Sequence, residues 1–296
     1  VAARILGSHL FISLTSQHIR INITMANITA AEVKKLRDHT AAGMMECKRA
    51  LEESNGDFDA AVELLRVSGA AKAAKRGAER EASNGLVANI GNALVELLCE
   101  TDFVAKNEDF LTLSNAIAQA VFDGQITDTE GAKAVKLADG RTAGDAVAEM
   151  ASVIGEKLEI GRVAVLPTPV TVYMHRRSSD LPAQVGVMVA YSGDEEVARS
   201  TAMQIAAMRP QFLTRDEVPA EIVETERRIA EATAKEEGKP EAAMSKIVEG
   251  RVNSYFKDNV LLEQASVVEQ KKSVSQVLAD AKTEVTGFVR FEIGQQ

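Results

Sequence analysis

Thr101-Asp102-Phe103-Val104-Ala105-Lys106-Asn107 is the stretch on which the reading of this chain turns. It follows an apolar run, Ala93 to Cys99, that reads as a strand. It precedes a helix-patterned run opening near Asp109, with Phe110, Leu113, Ile117 and Val121 as its stripe. Such a junction sets an acid and a large aromatic side by side at a loop tip, where rigid elements commonly present functional groups. Taken alone, the segment leaves two readings open. Asp102 caps a short turn while Phe103 plugs the core beneath it, or the two side chains form a presented contact.

Upstream of the turn, Gly85 to Ala88 and Ala93 to Leu97 flank Asn89-Ile90-Gly91-Asn92, a hairpin signal. Downstream, a second helix is expected over Ala143 to Leu158, with Ala146, Met150, Val153 and Ile154 inward. A similar order then recurs. Arg162 to Leu166, Thr171 to Met174 and Gln184 to Tyr191 read as strands, and Glu195 opens a helix with Val197, Thr201, Ile205 and Met208 on one face. This repetition predicts a duplicated α+β unit with antiparallel sheets. A last strand alternates Val289, Phe291 and Ile293 with Arg290 and Glu292, so the chain must leave the second unit and return to it. The excursion is the charged stretch 217–256. Ile222, Val223, Ile229 and Ala230 offer one apolar seam, and Met244, Ile247, Val248, Val252 and Tyr255 offer another. Gly238-Lys239-Pro240 lies between them as a turn, which predicts an inserted antiparallel helical hairpin.

Toward the N-terminus, Thr29 and Glu32 form a capping box, and Ile28 with Val33 a hydrophobic staple. Gly43 breaks the chain before Met44, Cys47, Lys48 and Leu51 at helical spacing. Asn55-Gly56 ends that helix, Asp57 caps a third with Ala61, Val62 and Leu65 inward, and Ser68-Gly69 closes it. The expected organisation is a three-helix bundle over 25–69, a connector over 70–83, and a first core half over 84–160. The second half is expected over 161–216 and 257–296, interrupted by the hairpin. Residues 1–24 contain no acid and could be read as a transit peptide. Met25 leading into a clean helix start favours instead an extension outside the folded protein, disordered or loosely packed.

The chain has 296 residues, 46% hydrophobic, enough for packed interiors. A formal charge of −9 argues against direct nucleic-acid binding, and no apolar run is long enough to span a bilayer. Two distant cysteines, Cys47 and Cys99, suit a reducing compartment such as the cytoplasm. Phosphate-loop, dinucleotide, zinc-protease and calcium-loop motifs are missing, and neither His39 nor His175 has a second ligand at metal spacing. No cofactor, no metal and no enzymatic chemistry are expected.

Four blocks in order decide the family. They are Gly43-Met44-Met45-Glu46-Cys47-Lys48, Thr101-Asp102-Phe103-Val104, Ile247-Val248-Glu249-Gly250-Arg251, and Val285-Thr286-Gly287-Phe288-Val289-Arg290-Phe291-Glu292. From about Met25 to Gly294 the chain resembles bacterial elongation factor Ts. The resemblance implies a ubiquitin-associated-like bundle, a coiled-coil insertion, and nucleotide exchange on elongation factor Tu in its GDP-bound and nucleotide-free states. It implies that Thr101 to Val104 insert near the partner's magnesium site, Phe103 as a wedge and Asp102 bonding groups the wedge exposes. It also implies a partner contact by Met44 and Met45 with Lys48 beside them. His175 with Arg176 and Arg177 is a further family-like spot that a solvated basic turn explains equally well. Members often continue into a further C-terminal helix. This sequence stops at Gln296, so contacts made by such a helix are expected to fall to other surfaces. The alternative function is a non-exchanging adaptor carrying a ubiquitin-associated-like module.

Overall fold

The computed structural model of the chain describes residues 28–40, 42–76 and 80–295. The expected extension over 1–24 lies outside them. Three helices open the described chain: α1 (Ala30–Thr40), α2 (Met44–Glu53) and α3 (Phe58–Arg76). The capping box at the start of α1 forms, with the Glu32 carboxylate accepting from the Thr29 amide at 2.7 Å and Thr29 Oγ1 accepting from the Glu32 amide at 3.3 Å. Asn55 and Gly56 take left-handed backbone (φ 53° and 87°), which lets the Gly56 amide reach back to the Leu51 carbonyl at 2.8 Å. Leu36, Cys47, Leu51 and Ala61 fill the bundle core. The sequence closes the third helix at Gly69, yet α3 continues to Arg76. One glycine costs a helix only about 1 kcal/mol, and the alanine-, lysine- and arginine-rich stretch that follows has high propensity. Much of the expected connector is therefore helix.

The first sheet runs in the order β1 (Asn84–Ile90), β2 (Ala93–Cys99), β3 (Leu158–Val165), antiparallel throughout. Gly91, with φ 52°, makes the tight β1–β2 turn. Between β2 and β3 come α4 (Asp102–Ala105), α5 (Glu108–Gly124), α6 (Thr129–Ala134) and α7 (Ala143–Ile154). Phe110, Leu113, Ile117 and Val121 of α5 are all buried in the core of this half. The expected helix over 143–158 ends early because Gly155, at φ 79°, caps it and donates to the Ala151 carbonyl at 2.8 Å. The third strand consequently begins at Leu158 rather than Arg162 and pairs with β2. It belongs to the first sheet, and the expected division at 160/161 falls inside it. α3 packs along α7 and joins the bundle to this half, with an Arg66–Glu149 ion pair across the contact.

The second sheet, β4 (Val170–His175), β5 (Val185–Ser192) and β6 (Glu284–Glu292), repeats the antiparallel three-strand plan under α8 (Glu195–Met208). Ala198, Thr201, Ala202 and Ile205 form the buried face of α8. Met208, expected inward, is exposed, because it is the last helical residue before the left-handed Arg209. The excursion is α9 (Ala220–Glu236) and α10 (Glu241–Asn259), turning at Gly238. Ala230 and Ala234 meet Met244, Val248, Val252 and Phe256 along the seam, and Ile229 points outward instead. At its root the Asn259 carbonyl accepts from the Gln211 and Phe212 amides at 2.8 and 3.1 Å. A short helix, α11 (Val274–Asp280), leads into β6.

The two sheets are joined face to face. Val87 and Leu94 pack on Met188, Phe291 and Ile293, and the Val87 amide donates to the Ala183 carbonyl at 2.9 Å. Gly186 faces Val87 so closely that a Cβ there would lie 2.6 Å from Val87 Cγ1. Buried charge reinforces the seam. Arg162 spans Glu96, at 2.6 and 2.8 Å, and the Glu292 carbonyl at 3.1 Å. The Glu292 carboxylate, 2% exposed, receives Arg177, Arg209 and Arg290. No helix among the described residues is long and apolar enough to cross a membrane.

Candidate functional site

The turn after β2 is built to hold its backbone still while offering one side chain outward. Thr101 caps α4, its hydroxyl accepting from the Val104 amide at 3.4 Å. Its own amide and hydroxyl donate to the two oxygens of Glu156, at 3.1 and 2.7 Å. Below, the Cys99 thiol donates to the Thr101 carbonyl at 3.1 Å. Burial pushes that thiol up to about 12, and the neighbouring Glu156 carboxylate adds to the shift. After the turn, the Asn107 side chain caps α5 by accepting from the amides of Asp109 and Phe110, at 2.8 and 3.2 Å.

Val104 and Ala105 face the core; Phe103 is 79% exposed. The core plug expected on one reading is thus Val104, and the capping group is Thr101 rather than Asp102. Asp102 is half exposed, 3.3 Å from the Lys106 ammonium. That ammonium also lies 3.0 Å from Asp180, on the loop between β4 and β5, and 5.9 Å from the centre of the Phe103 ring. Hydrogen bonds donated to Asp180 and Asp102 raise the Lys106 pKa, while Ser178 and Lys106 draw the Asp180 carboxyl down to about 2.

Met44, Met45 and Lys48 lie on the outer side of α2. Met45 is 74% exposed, and Lys48 pairs with Glu52 at 3.7 Å, while Cys47 and Leu51 fill the bundle. Met44 was expected in register with the apolar pair and is exposed as well. These three belong to the bundle and the Thr101–Val104 turn belongs to the first core half, so the candidates form two separate presentations. Arg177, read as part of a basic turn, is directed onto buried Glu292.

Three participants have no role in the sequence reading. Lys106, four residues beyond Asp102, carried the usual helical spacing for an ion pair and could have been found. Glu156 and Asp180 lie 55 and 74 residues from their partners and carry no local signal.

A cleft of about 460 Å³ between α1, α5 and α7 is lined mainly by apolar groups, among them Leu113, Met150 and Ile154. Among its charged members, Arg141 is engaged with both Asp139 and Glu149. No cluster among the described residues could hold a metal ion.

A family model described as "Elongation factor TS" matches residues 100–295. The chain is 60% identical to the elongation factor Ts of Nocardioides sp. (strain ATCC BAA-499 / JS614) over 270 residues, covering 91% of this chain and 100% of that protein. Identity is 57% over 272 residues with the protein of the same name from Saccharopolyspora erythraea, and 56% over 275 residues with that from Nocardia farcinica. Each comparison covers 92% of this chain and the whole of the relative.

Proposed function

From a chain that belongs to the elongation factor Ts family of translation elongation factors, we propose a protein that promotes GDP release from elongation factor Tu, through the turn Thr101–Val104. The observation that carries the proposal is Phe103. A large ring stands exposed on a helix of one turn whose backbone is held by Thr101 with Glu156 and by the Asn107 amide, which donates to the Val104 carbonyl at 2.9 Å. An exposed aromatic on a rigid mount is poised to enter a partner with little ordering cost.

In this mechanism Phe103 enters between helices of the partner and Asp102 bonds groups that the shift uncovers. An octahedral Mg²⁺ shell demands near-ideal geometry, so displacing its ligands slightly weakens both the metal and the β-phosphate contacts. The coupling is reciprocal: GDP weakens binding of the exchange factor by the factor by which the exchange factor weakens GDP. Each tenfold loosening requires about 1.4 kcal/mol of differential contact. One ring and one carboxylate cannot supply a large effect, which assigns Met44, Met45, Lys48 and the second core half to holding the partner in place. No covalent step is involved, the partner is met in its GDP-bound and nucleotide-free states, and the setting is the cytoplasm.

Release of labelled GDP from cognate elongation factor Tu tests this. Wild-type protein should accelerate release, and Phe103→Ala should fall sharply, most at high Mg²⁺ where the shell is hardest to disturb. Chelating external Mg²⁺ should narrow the gap, because the metal is then already gone. A well-folded Phe103→Ala that stimulates release at the wild-type rate in excess magnesium would sink the mechanism, and no stimulation by wild type would leave the adaptor alternative.

A further inference from the structure

Building on the exchange reading, we propose that Asp180 is a positioning residue for the wedge. Reaching across from the second core half, it shares the Lys106 ammonium with Asp102 and steadies the turn that carries Phe103.

The geometry carries this in three steps. Lys106 follows Asp102 by one helical turn, and the two alone would close into an ordinary intrahelical pair. Asp102 would then spend its carboxylate on its own neighbour. Instead the ammonium sits closer to Asp180, at 3.0 Å, than to Asp102, at 3.3 Å, and its charge is shared. The Asp102 side chain stays about half exposed, next in sequence to the exposed Phe103 ring.

The second step is the mooring of Asp180 itself. Its loop is tied at both ends to buried structure. Arg177 reaches the buried Glu292 carboxylate, and the Ala183 carbonyl accepts from Val87 of the first sheet at 2.9 Å. Between those ties the Ser178 hydroxyl bonds the Asp180 carboxylate. A carboxylate held on a fixed loop can impose a position on Lys106, whereas one on a free loop would merely follow it.

The third step is what the contact joins. Thr101 and Asn107 hold the turn within the first core half. Lys106 with Asp180 is a tie from the turn to the second half, the part assigned to gripping the partner. Both side chains are partly solvated, so the effect is modest in size and sensitive to salt.

The test uses the full chain and elongation factor Tu loaded with labelled GDP. Asp180→Asn should lower the maximal release rate by about two- to fivefold, the size of effect exposed ion pairs carry. The concentration of exchange factor giving half-maximal rate should stay near that of wild type. The defect should fade at high salt, Asp180→Glu should restore most of the rate, and Asp180→Asn added to Lys106→Met should do no further harm.

A rate unchanged by Asp180→Asn overturns the proposal. So does a raised half-maximal concentration at unchanged maximal rate, which marks a docking contact, or a full Asp180→Asn defect persisting in the Lys106→Met background. A partner-free readout separates this from failure of the exchange reading. The chain lacks tryptophan, so Phe103→Trp is a unique reporter. Asp180→Asn should lower its fluorescence anisotropy at low salt and leave it unchanged at high salt. Equal anisotropy at low salt overturns the positioning role even if exchange is observed, and lowered anisotropy in a protein without exchange activity overturns the exchange reading alone.

Discussion

Phe103 and Val104 are neighbours with opposite surroundings, and substituting each in turn separates presentation from packing. Phe103→Ala removes a ring that touches little and should cost about 1 kcal/mol of stability or less. Val104→Ala opens the core beneath the turn and should cost roughly 1–3 kcal/mol. Thermal or urea denaturation of the two variants measures the contrast, and a larger loss for Phe103→Ala would mean that the ring is structural. The thiols give a second check. Cys47 and Cys99 are both buried and both pushed upward, chiefly by burial. Neither should react with a thiol reagent in the native protein at neutral pH, and both should react in denaturant. Asp180 adds a pH dependence. Its pKa is depressed on folding, to about 2, so the contact with Lys106 is fully present above the ordinary aspartate value near 4 and is lost as pH falls through about 2. Above pH 5 the Phe103→Trp anisotropy should therefore be flat.

Elements were legible where the pattern was local. The capping box at Thr29, the β1–β2 hairpin and the α9–α10 hairpin each rest on residues a few positions apart, and each has its expected type. Departures occur where a distant neighbour or a terminal cap decides. Propensity carries α3 past Gly69, Gly155 cuts α7 short so that the next strand joins the first sheet, and Met208 and Ile229 fall outside their buried faces. Of the candidate site, the placement of Asp102 and Phe103 on the turn after the second strand was readable, but the Glu156 and Asp180 contacts span the sheet topology and could not be. The hairpin makes its own testable claim. α9 and α10 pack chiefly on one another, so joining Pro219 to Asn259 by a short Gly/Ser linker should leave the remainder cooperative in a thermal melt. Loss of that transition would show that the hairpin supports the core. Glu292 behaves differently. Burial would raise its pKa, yet Arg290 and Arg177 more than offset this and the net shift is downward. The stability it contributes is present above the ordinary carboxylate range and lost as pH falls below it. Glu292→Gln leaves several arginines facing a neutral group and should cost about 3 kcal/mol, measurable by denaturant midpoint at pH 7.

At the scale of the molecule, the proposed grip and the proposed wedge occupy different units. Met45→Ala, on the bundle, should raise the concentration of exchange factor needed for half-maximal release with little change in the maximal rate. Phe103→Ala should do the reverse, and titrating each variant against elongation factor Tu in the release assay distinguishes them. What connects the two units mechanically is the seam at Gly186. A wedge and the body it parts push on each other with equal force, and the deformation goes to whichever is softer. With Gly186 seated against Val87 and Glu96, Arg162 and Glu292 linked across the same junction, the halves have no slack in which to rock. On the proposed mechanism the recoil on Phe103 would be carried as elastic load through a close-packed interior of low compressibility, and the yielding would fall to the nucleotide-bound partner. Gly186→Ala would force the sheets apart at that point. Its consequence should be backlash: a protein that still grips its partner and still presents its ring, but whose thrust is partly spent in flexing its own frame.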